Sequence, residues 1–188
     1  MMRIITGSAR GTHLKTLPGD HTRPTAERAK EAIFSMLGDA VRGARVLDLF
    51  GGSGQMGLEA LSRGAEHAVF VDNSREAAAV IGENAARTHL ADRVEIRVAD
   101  APTFLKSALM QPFDLVFLDP PYAAGLLPIC LRLLTERKLL TPDAVVIAEA
   151  GDAADFFGAD ADLPARFTVL RDNRYGAAQV RLLKEKQS

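Results

Sequence analysis

Asp119-Pro120-Pro121-Tyr122 follows directly on the apolar run Phe113-Asp114-Leu115-Val116-Phe117-Leu118. Two consecutive prolines fix φ and remove two backbone donors. The tetrapeptide is therefore a rigid loop that presents acceptors, the Asp119 carboxylate and the Pro120 carbonyl. Acceptors held this way can orient an incoming amino group. On a heteroaromatic ring such a group is a poor nucleophile, because its lone pair is delocalised. Hydrogen bonds to its two protons favour a pyramidal nitrogen and aim the lone pair at an electrophile, so the chemistry is positioning and electrostatics. Tyr122 can stack on the ring, worth about 1–3 kcal/mol. A lone Asp-Pro-Pro is better read as a turn, so the meaning of this one depends on what surrounds it.

A second feature is the loop Gly51-Gly52-Ser53-Gly54-Gln55-Met56-Gly57, in which Gly52, Gly54 and Gly57 fit G-x-G-x-x-G. Asp72 follows at about the 20-residue distance where dinucleotide folds place a ribose-binding acid. A nicotinamide or flavin enzyme is thus a rival reading. Charge opposes it: Asp48 stands before the loop and would repel a pyrophosphate by several kcal/mol in a low-dielectric crevice. A sulfonium with an ammonium, as in S-adenosylmethionine, would be attracted instead. The expected cofactor contacts are Asp48, Phe50, Gly51, Gly52, Ser53 and Gly54 around the loop, then Asp72 and Asn73 beside the ribose. Asp100, with the Ala101 N–H, is expected at the adenine.

These residues need a frame. From residue 44 the pattern alternates strand and helix. Strands are expected at 45–50, 68–72, 94–98, 113–119 and 144–148, with helices opening at Gly57, after Ser74 as N-cap, and over 126–138. Such alternation implies a parallel sheet covered on both faces. Ligands then bind outside the carboxyl ends of the strands, where Asp48, Asp72, Asp100 and Asp119 would form an acidic rim. Residues 166–170 and 178–183 flank Tyr175-Gly176 and read as a closing antiparallel hairpin. At the other end, 3–5 and 13–17 read as a small β-hairpin around Gly7–Gly11, followed by a helix with Thr25 as N-cap. The expected division is an N-terminal arm, 1–24, and a main domain, 25–188.

The 188 residues are 47% hydrophobic and 25% charged, the profile of a globular domain that can bury a full core. The single cysteine, Cys130, lies in an apolar run and reads as core. One cysteine forms neither an internal disulfide nor a multi-cysteine metal site, so a reducing compartment and no metal are expected. No apolar run reaches the ~18 residues of a membrane span and the N-terminus lacks a signal-peptide core; a cytoplasmic protein, with a monomer favoured, is the expectation. The net charge is −1, yet residues 1–30 hold an excess of four positive charges. That imbalance can build one basic face for a polyanion. Arg10, Arg23, Thr25 and Arg28 are the candidates for holding nucleic acid while a base leaves its stack to reach the loop.

Taken together, Arg3-Ile4-Ile5-Thr6-Gly7, Arg23-Pro24-Thr25 with Arg28, Asp48-Leu49-Phe50, Gly57–Ala65, Phe117–Tyr122 and Tyr175-Gly176 span essentially the whole chain. This set resembles the bacterial small-subunit ribosomal RNA guanine-N2 methyltransferases. The resemblance implies an α/β, Rossmann-like class I methyltransferase fold: a mostly parallel seven-stranded sheet with an antiparallel C-terminal hairpin. It further implies S-adenosylmethionine as methyl donor, S-adenosylhomocysteine as product, and guanine N2 in 16S rRNA, free or in a small ribosomal subunit particle, as target. The family loop reads D-L-F-A-G-S-G-A-L-G; here Gly51 replaces the alanine and Gln55-Met56 replaces Ala-Leu. Two other readings remain open at this point. One is a DNA adenine-N6 or cytosine-N4 methyltransferase, and the other a nucleotide-binding ribosome-assembly factor without catalysis.

Overall fold

The computed structural model describes residues 2–18, 24–107, 109–121, 124–151 and 156–187, the side chains of 24–26 excepted. Seven strands form one sheet: β1 (Arg45–Leu49), β2 (His67–Asp72), β3 (Val94–Val98), β4 (Phe113–Leu118), β5 (Leu140–Ala150), β6 (Phe167–Tyr175) and β7 (Ala178–Glu185). Their order is β3-β2-β1-β4-β5-β7-β6. The first five are parallel, and β7 runs antiparallel to both β5 and β6. This is the sheet that the resemblance implies. The order reverses between β1 and β4, which opens a crevice at their carboxyl ends.

The strands β1, β2 and β4 are near-continuous apolar runs because helices cover both of their faces. On one face lie α1 (Pro24–Leu37), α2 (Gln55–Ser62) and α3 (Arg75–Arg87), with Ile33, Phe34, Leu58, Leu61 and Ile81 in the core. On the other lie α4 (Ala101–Ser107), α5 (Leu126–Glu136) and the short α6 (Leu163–Arg166), with Leu105, Leu127, Cys130 and Leu134. Side chains alternate across a strand, so Leu47 and Leu49 face the second layer while Val46 faces the first. Among the described residues, no helix is long and apolar enough to cross a membrane.

Two local expectations differ from the structure. Residues 2–14 form a hairpin-like arm with a single antiparallel bridge, Arg3 to His13, rather than two strands. Cross-arm bonds from Ile4 N–H to the Thr12 carbonyl, Gly11 N–H to the Ile4 carbonyl and Leu14 N–H to the Met2 carbonyl close it, and other backbone N–H groups bond to side chains of the main body. Ile5 and Thr6 N–H donate to Glu59, and Ala9 N–H donates to Ser62 Oγ. Met2, Ile4 and Leu14 of the arm sit in the same core as α1–α3. The first helix starts at Pro24, so Thr25 lies inside it and is not its N-cap. Proline suits a first helical position, where its missing N–H would have no partner.

The turn from β1 into α2 depends on Gly57. A Cβ there would fall about 2.5 Å from Phe70 Cζ on the neighbouring strand. Gly57→Ala therefore forces Phe70 or α2 to shift. A loss of about 1–3 kcal/mol is expected from such overpacking, read as a lower thermal midpoint. An unchanged midpoint would show that the helix has room to move.

Candidate active site

Two adjoining cavities open at the carboxyl ends of the strands. The inner one, about 100 Å³, is lined by Phe50, Val71, Asp72, Asn73, Ala99, Asp100, Ala101, Pro102 and Leu126. The outer one, about 490 Å³, is lined by Phe50, Asp72, Asn73, Asp119, Pro120, Pro121 and Leu126. Four residues are common to both, so they form one trough running from Asp100 to Asp119. Each wall has a local cause. Asp72 ends β2, Ala101 opens α4 three residues beyond the end of β3, and Asp119 directly follows β4. Phe50 is held at φ 64°, a conformation that non-glycine residues rarely adopt. Strain of this kind is kept where surrounding structure enforces it, often at binding sites; here it turns the phenyl ring into the wall that both cavities share.

The acidic groups have distinct partners. Asp72 accepts from Gly52 N–H at 2.9 Å and from Ser74 N–H at 2.8 Å, which ties the glycine loop to the start of α3. Each carboxylate oxygen keeps a further lone pair for a ligand. Asp100 accepts from Thr103 N–H at 3.0 Å in the first turn of α4. Bonds from Thr103 hold its exposed carboxyl below the usual range. Ser74 caps α3 by accepting from Ala77 N–H at 3.2 Å. Asp119 is exposed, and Pro120 behind it is buried.

Of the expected cofactor residues, Phe50, Asp72, Asn73, Asp100 and Ala101 line the trough. Asp48, Gly51, Gly52, Ser53 and Gly54 line neither cavity. Asp48 shares strand parity with Val46, so its carboxylate turns beneath α2 instead of onto the rim. It is 4% exposed and accepts from Gly57 N–H at 2.9 Å. Burial pushes its pKa up to about 7, against the Gly57 bond, which lowers it; the nearby Asp72 charge adds to the rise. Asp48 therefore lies behind the loop, outside the trough. Val71, Ala99, Pro102 and Leu126 supply an apolar lining that the motif reading missed; strand ends and helix starts were the available signal.

Of the expected chain-holding residues, Arg10 and Arg28 line a third cavity of about 340 Å³ between the arm and α1. Arg3, Ile4, Ile5, Gly11, Glu27 and Glu31 complete it. Arg3 pairs with Glu27 at 3.4 Å. Arg23 and Tyr122 lie outside the described residues, as does the side chain of Thr25. The arm and α1 meet at a buried ion pair that the sequence did not announce. Lys30 Nζ lies 3.5 Å from Glu59 Oε2 and donates to the Arg3 carbonyl at 2.7 Å. Burial holds the Lys30 ammonium below its ordinary pKa, partly countered by Glu59.

The Asp48 carboxyl gives a pH signature. Its folded pKa of about 7 lies above the unfolded value of 3.8. The unfolded chain thus loses this proton first. The associated stability is present below about pH 4 and is lost as pH rises through about 7. Asp48→Asn carries no such loss. The thermal midpoint of the variant, relative to that of the unliganded parent, is expected to rise between about pH 4 and pH 8; a constant difference would place Asp48 in a solvated setting.

The comparisons with known proteins agree on one family. The family described as Conserved hypothetical protein 95 matches residues 2–184. YlbH of Bacillus subtilis is 37% identical over 187 residues, covering 98% of this chain and all of that protein. Ribosomal RNA small subunit methyltransferase D of Haemophilus influenzae is 33% identical over 183 residues, covering 96% of this chain and 92% of that protein. The solved structure of yhhF from Escherichia coli superposes with a TM-score of 0.86 at 32% identity, over 100% of this chain and 99% of that one. By this full-length match the chain belongs to the Conserved hypothetical protein 95 family, whose fold it shares and among whose relatives stands ribosomal RNA small subunit methyltransferase D.

Proposed function

We propose that the protein transfers a methyl group from S-adenosylmethionine to the exocyclic N2 of a guanine in small-subunit ribosomal RNA. One observation carries this reading: among the described residues, the trough is lined by three carboxylates, Asp72, Asp100 and Asp119, together with Asn73 and apolar side chains, and by no lysine or arginine. A pyrophosphate would meet only like charge there. An adenosine bearing a sulfonium and an ammonium meets opposite charge and acceptors for its hydroxyl and amino groups. In bound form it supplies an electrophilic methyl group.

The residues divide the work along the trough. Asp100 and the Ala101 N–H take the adenine edge, between Val71, Ala99, Pro102 and Leu126. Asp72 accepts from the ribose hydroxyls, with Asn73 beside it. At the far end the Asp119 carboxylate and the Pro120 carbonyl accept from the two protons of the guanine amino group and hold its lone pair toward the donor. Asp119 takes up the proton that the amine sheds as the new N–C bond forms. Pro121 keeps the loop rigid, and Tyr122, one residue on, would stack on the base. Small-subunit rRNA as the target follows the relatives; guanine N2, at position 966 of 16S rRNA, is what the resemblance of the sequence motifs implies. Arg10 and Arg28 face a cavity shared with Arg3 and hold RNA phosphates, with Arg23 and Thr25 on the same segment. Arm 1–24 thus serves as the RNA contact and 25–188 as the methyltransferase body.

Tritium transfer from labelled S-adenosylmethionine to rRNA-containing particles and to plasmid DNA tests the reading. Label is expected in RNA alone; label in DNA alone, or in neither, would sink it. Asp119→Ala should lower transfer by about 10²–10³-fold while S-adenosylhomocysteine affinity stays within about threefold. Replacing both Arg10 and Arg28 by alanine should weaken RNA binding and reduce the slope of log K against log salt by about 2. A slope equal to that of the parent would remove these arginines from the interface.

A further inference from the structure

Helix α3 lays Ala77, Val80, Ile81 and Ala85 against the sheet, and Asn84 stands in the same stripe with no exposed surface. Asparagine is a weaker helix former than the alanine or leucine this position would ordinarily take. A buried carboxamide is also costly unless it is hydrogen-bonded. Three bonds offset both costs. Asn84 Oδ1 accepts from Lys15 N–H at 2.8 Å, and Nδ2 donates to the Lys15 carbonyl at 2.9 Å. This two-point grip holds the arm through its backbone, whatever the side chain at 15. Nδ2 also donates to the Ser53 carbonyl at 2.9 Å, in the middle of the glycine loop.

Ser53 is itself buried, and its Oγ donates to Met2 Sδ of the arm at 3.1 Å. The next residue back, Gly52, gives its N–H to Asp72, whose carboxylate lines the trough. Two residues before that, Phe50 forms the strained shared wall. A continuous path of hydrogen bonds and backbone therefore runs from the arm through Asn84 and Ser53 to Gly52 and Asp72. Among the described residues, none of the arm lines either rim cavity.

We propose that Asn84 is a positioning residue for the cofactor: it fixes the glycine loop from the N-terminal arm and makes that arm part of the cofactor site. The inference rests on the reading that the trough takes S-adenosylmethionine. Without the Asn84 donor, a buried Ser53 carbonyl loses its partner. The loop then relaxes toward water, and the Gly52–Asp72 contact and the Phe50 wall relax with it.

The test is the calorimetric Kd for S-adenosylhomocysteine, measured on the full chain. Asn84→Asp keeps the size and the acceptor for Lys15 N–H but loses both donors. Ser62→Ala is the control: it removes the Ala9 acceptor and the Thr6 donor, which anchor the arm to α2 without touching the loop. Asn84→Asp should raise the Kd by roughly 5- to 100-fold, the range expected for the loop's share of the loss, the buried Ser53 carbonyl left unpaired. The KM for S-adenosylmethionine should rise with it, while kcat at saturating cofactor stays within about threefold. Ser62→Ala should lower the thermal midpoint and leave the Kd within about twofold. An unchanged Kd in Asn84→Asp, or equal rises in both variants, would overturn the proposal. If Asn84→Asp does not melt cooperatively, Met2→Leu decides: it deletes the sulfur acceptor of Ser53, and a raised Kd supports the coupling while an unchanged one overturns it. A parent protein that binds no S-adenosylhomocysteine would instead sink the functional reading beneath it.

Discussion

The contact of Gly57 with the Phe70 ring sets the geometry on which the rest depends. With no side chain at 57, α2 packs directly on β2, and the Gly57 N–H reaches the Asp48 carboxylate beneath it. The β1–α2 connection is thereby forced into a tight loop, with Gly52 and Gly54 in left-handed conformations. That loop delivers the Gly52 N–H to Asp72 and the Phe50 ring to the trough. An alanine-sized obstruction at one point would therefore be felt along the loop and the trough wall. The buried Asp48 is costly as an anion, and a cation bound above the loop lowers that cost. On the proposed reading, this would give the carboxylate an electrostatic role without direct contact.

The second organising layer is polar and lies outside the trough. Glu59 gathers the Ile5 and Thr6 amides, Lys30 and Arg63 at one buried point. Breaking one partner of such a group is far more damaging than its net contribution suggests, since a buried charge is left alone. Ser62 and Asn84 add two further pins. The arm thus behaves as a strap across α2 and α3, and its Arg3 and Arg10 guanidiniums are presented from a fixed backbone. Among the described residues, the arm cavity brings Arg3, Arg10 and Arg28 together with Glu27 and Glu31, whereas the trough is lined by carboxylates without a lysine or arginine.

Much of this was legible in the sequence, for physical reasons. The strands could be read because doubly covered strands are apolar runs, and five parallel strands with a closing hairpin are found where those runs predict. Asp72, Asp100 and Asp119 could be placed because each stands at or just beyond the carboxyl end of a strand, where ligands gather. Asp48 was assigned to the rim with them, yet it lies inside β1 rather than beyond it, and strand alternation turns it under α2; counting parity from Val46 would have given the burial. The cap expected at Thr25 and the expected two-stranded arm differ from the structure for another reason. Both were inferred from local propensity, whereas Pro24 starts the helix and side chains of distant helices satisfy the arm. Glu59, Lys30 and Asn84 are ordinary helix residues in isolation. Only the tertiary packing makes them buried anchors.

The central claim is that the acceptors at the end of β4 direct methylation of a guanine amino group in RNA. Nucleoside mass spectrometry measures this most directly. Small-subunit ribosomal RNA from cells lacking the gene would be incubated with the protein and a deuterated-methyl S-adenosylmethionine, then digested to nucleosides. The account predicts label in N2-methylguanosine and none in other nucleosides. Label on a ring nitrogen, a ribose oxygen or an adenosine, with guanosine N2 unmodified, would contradict it.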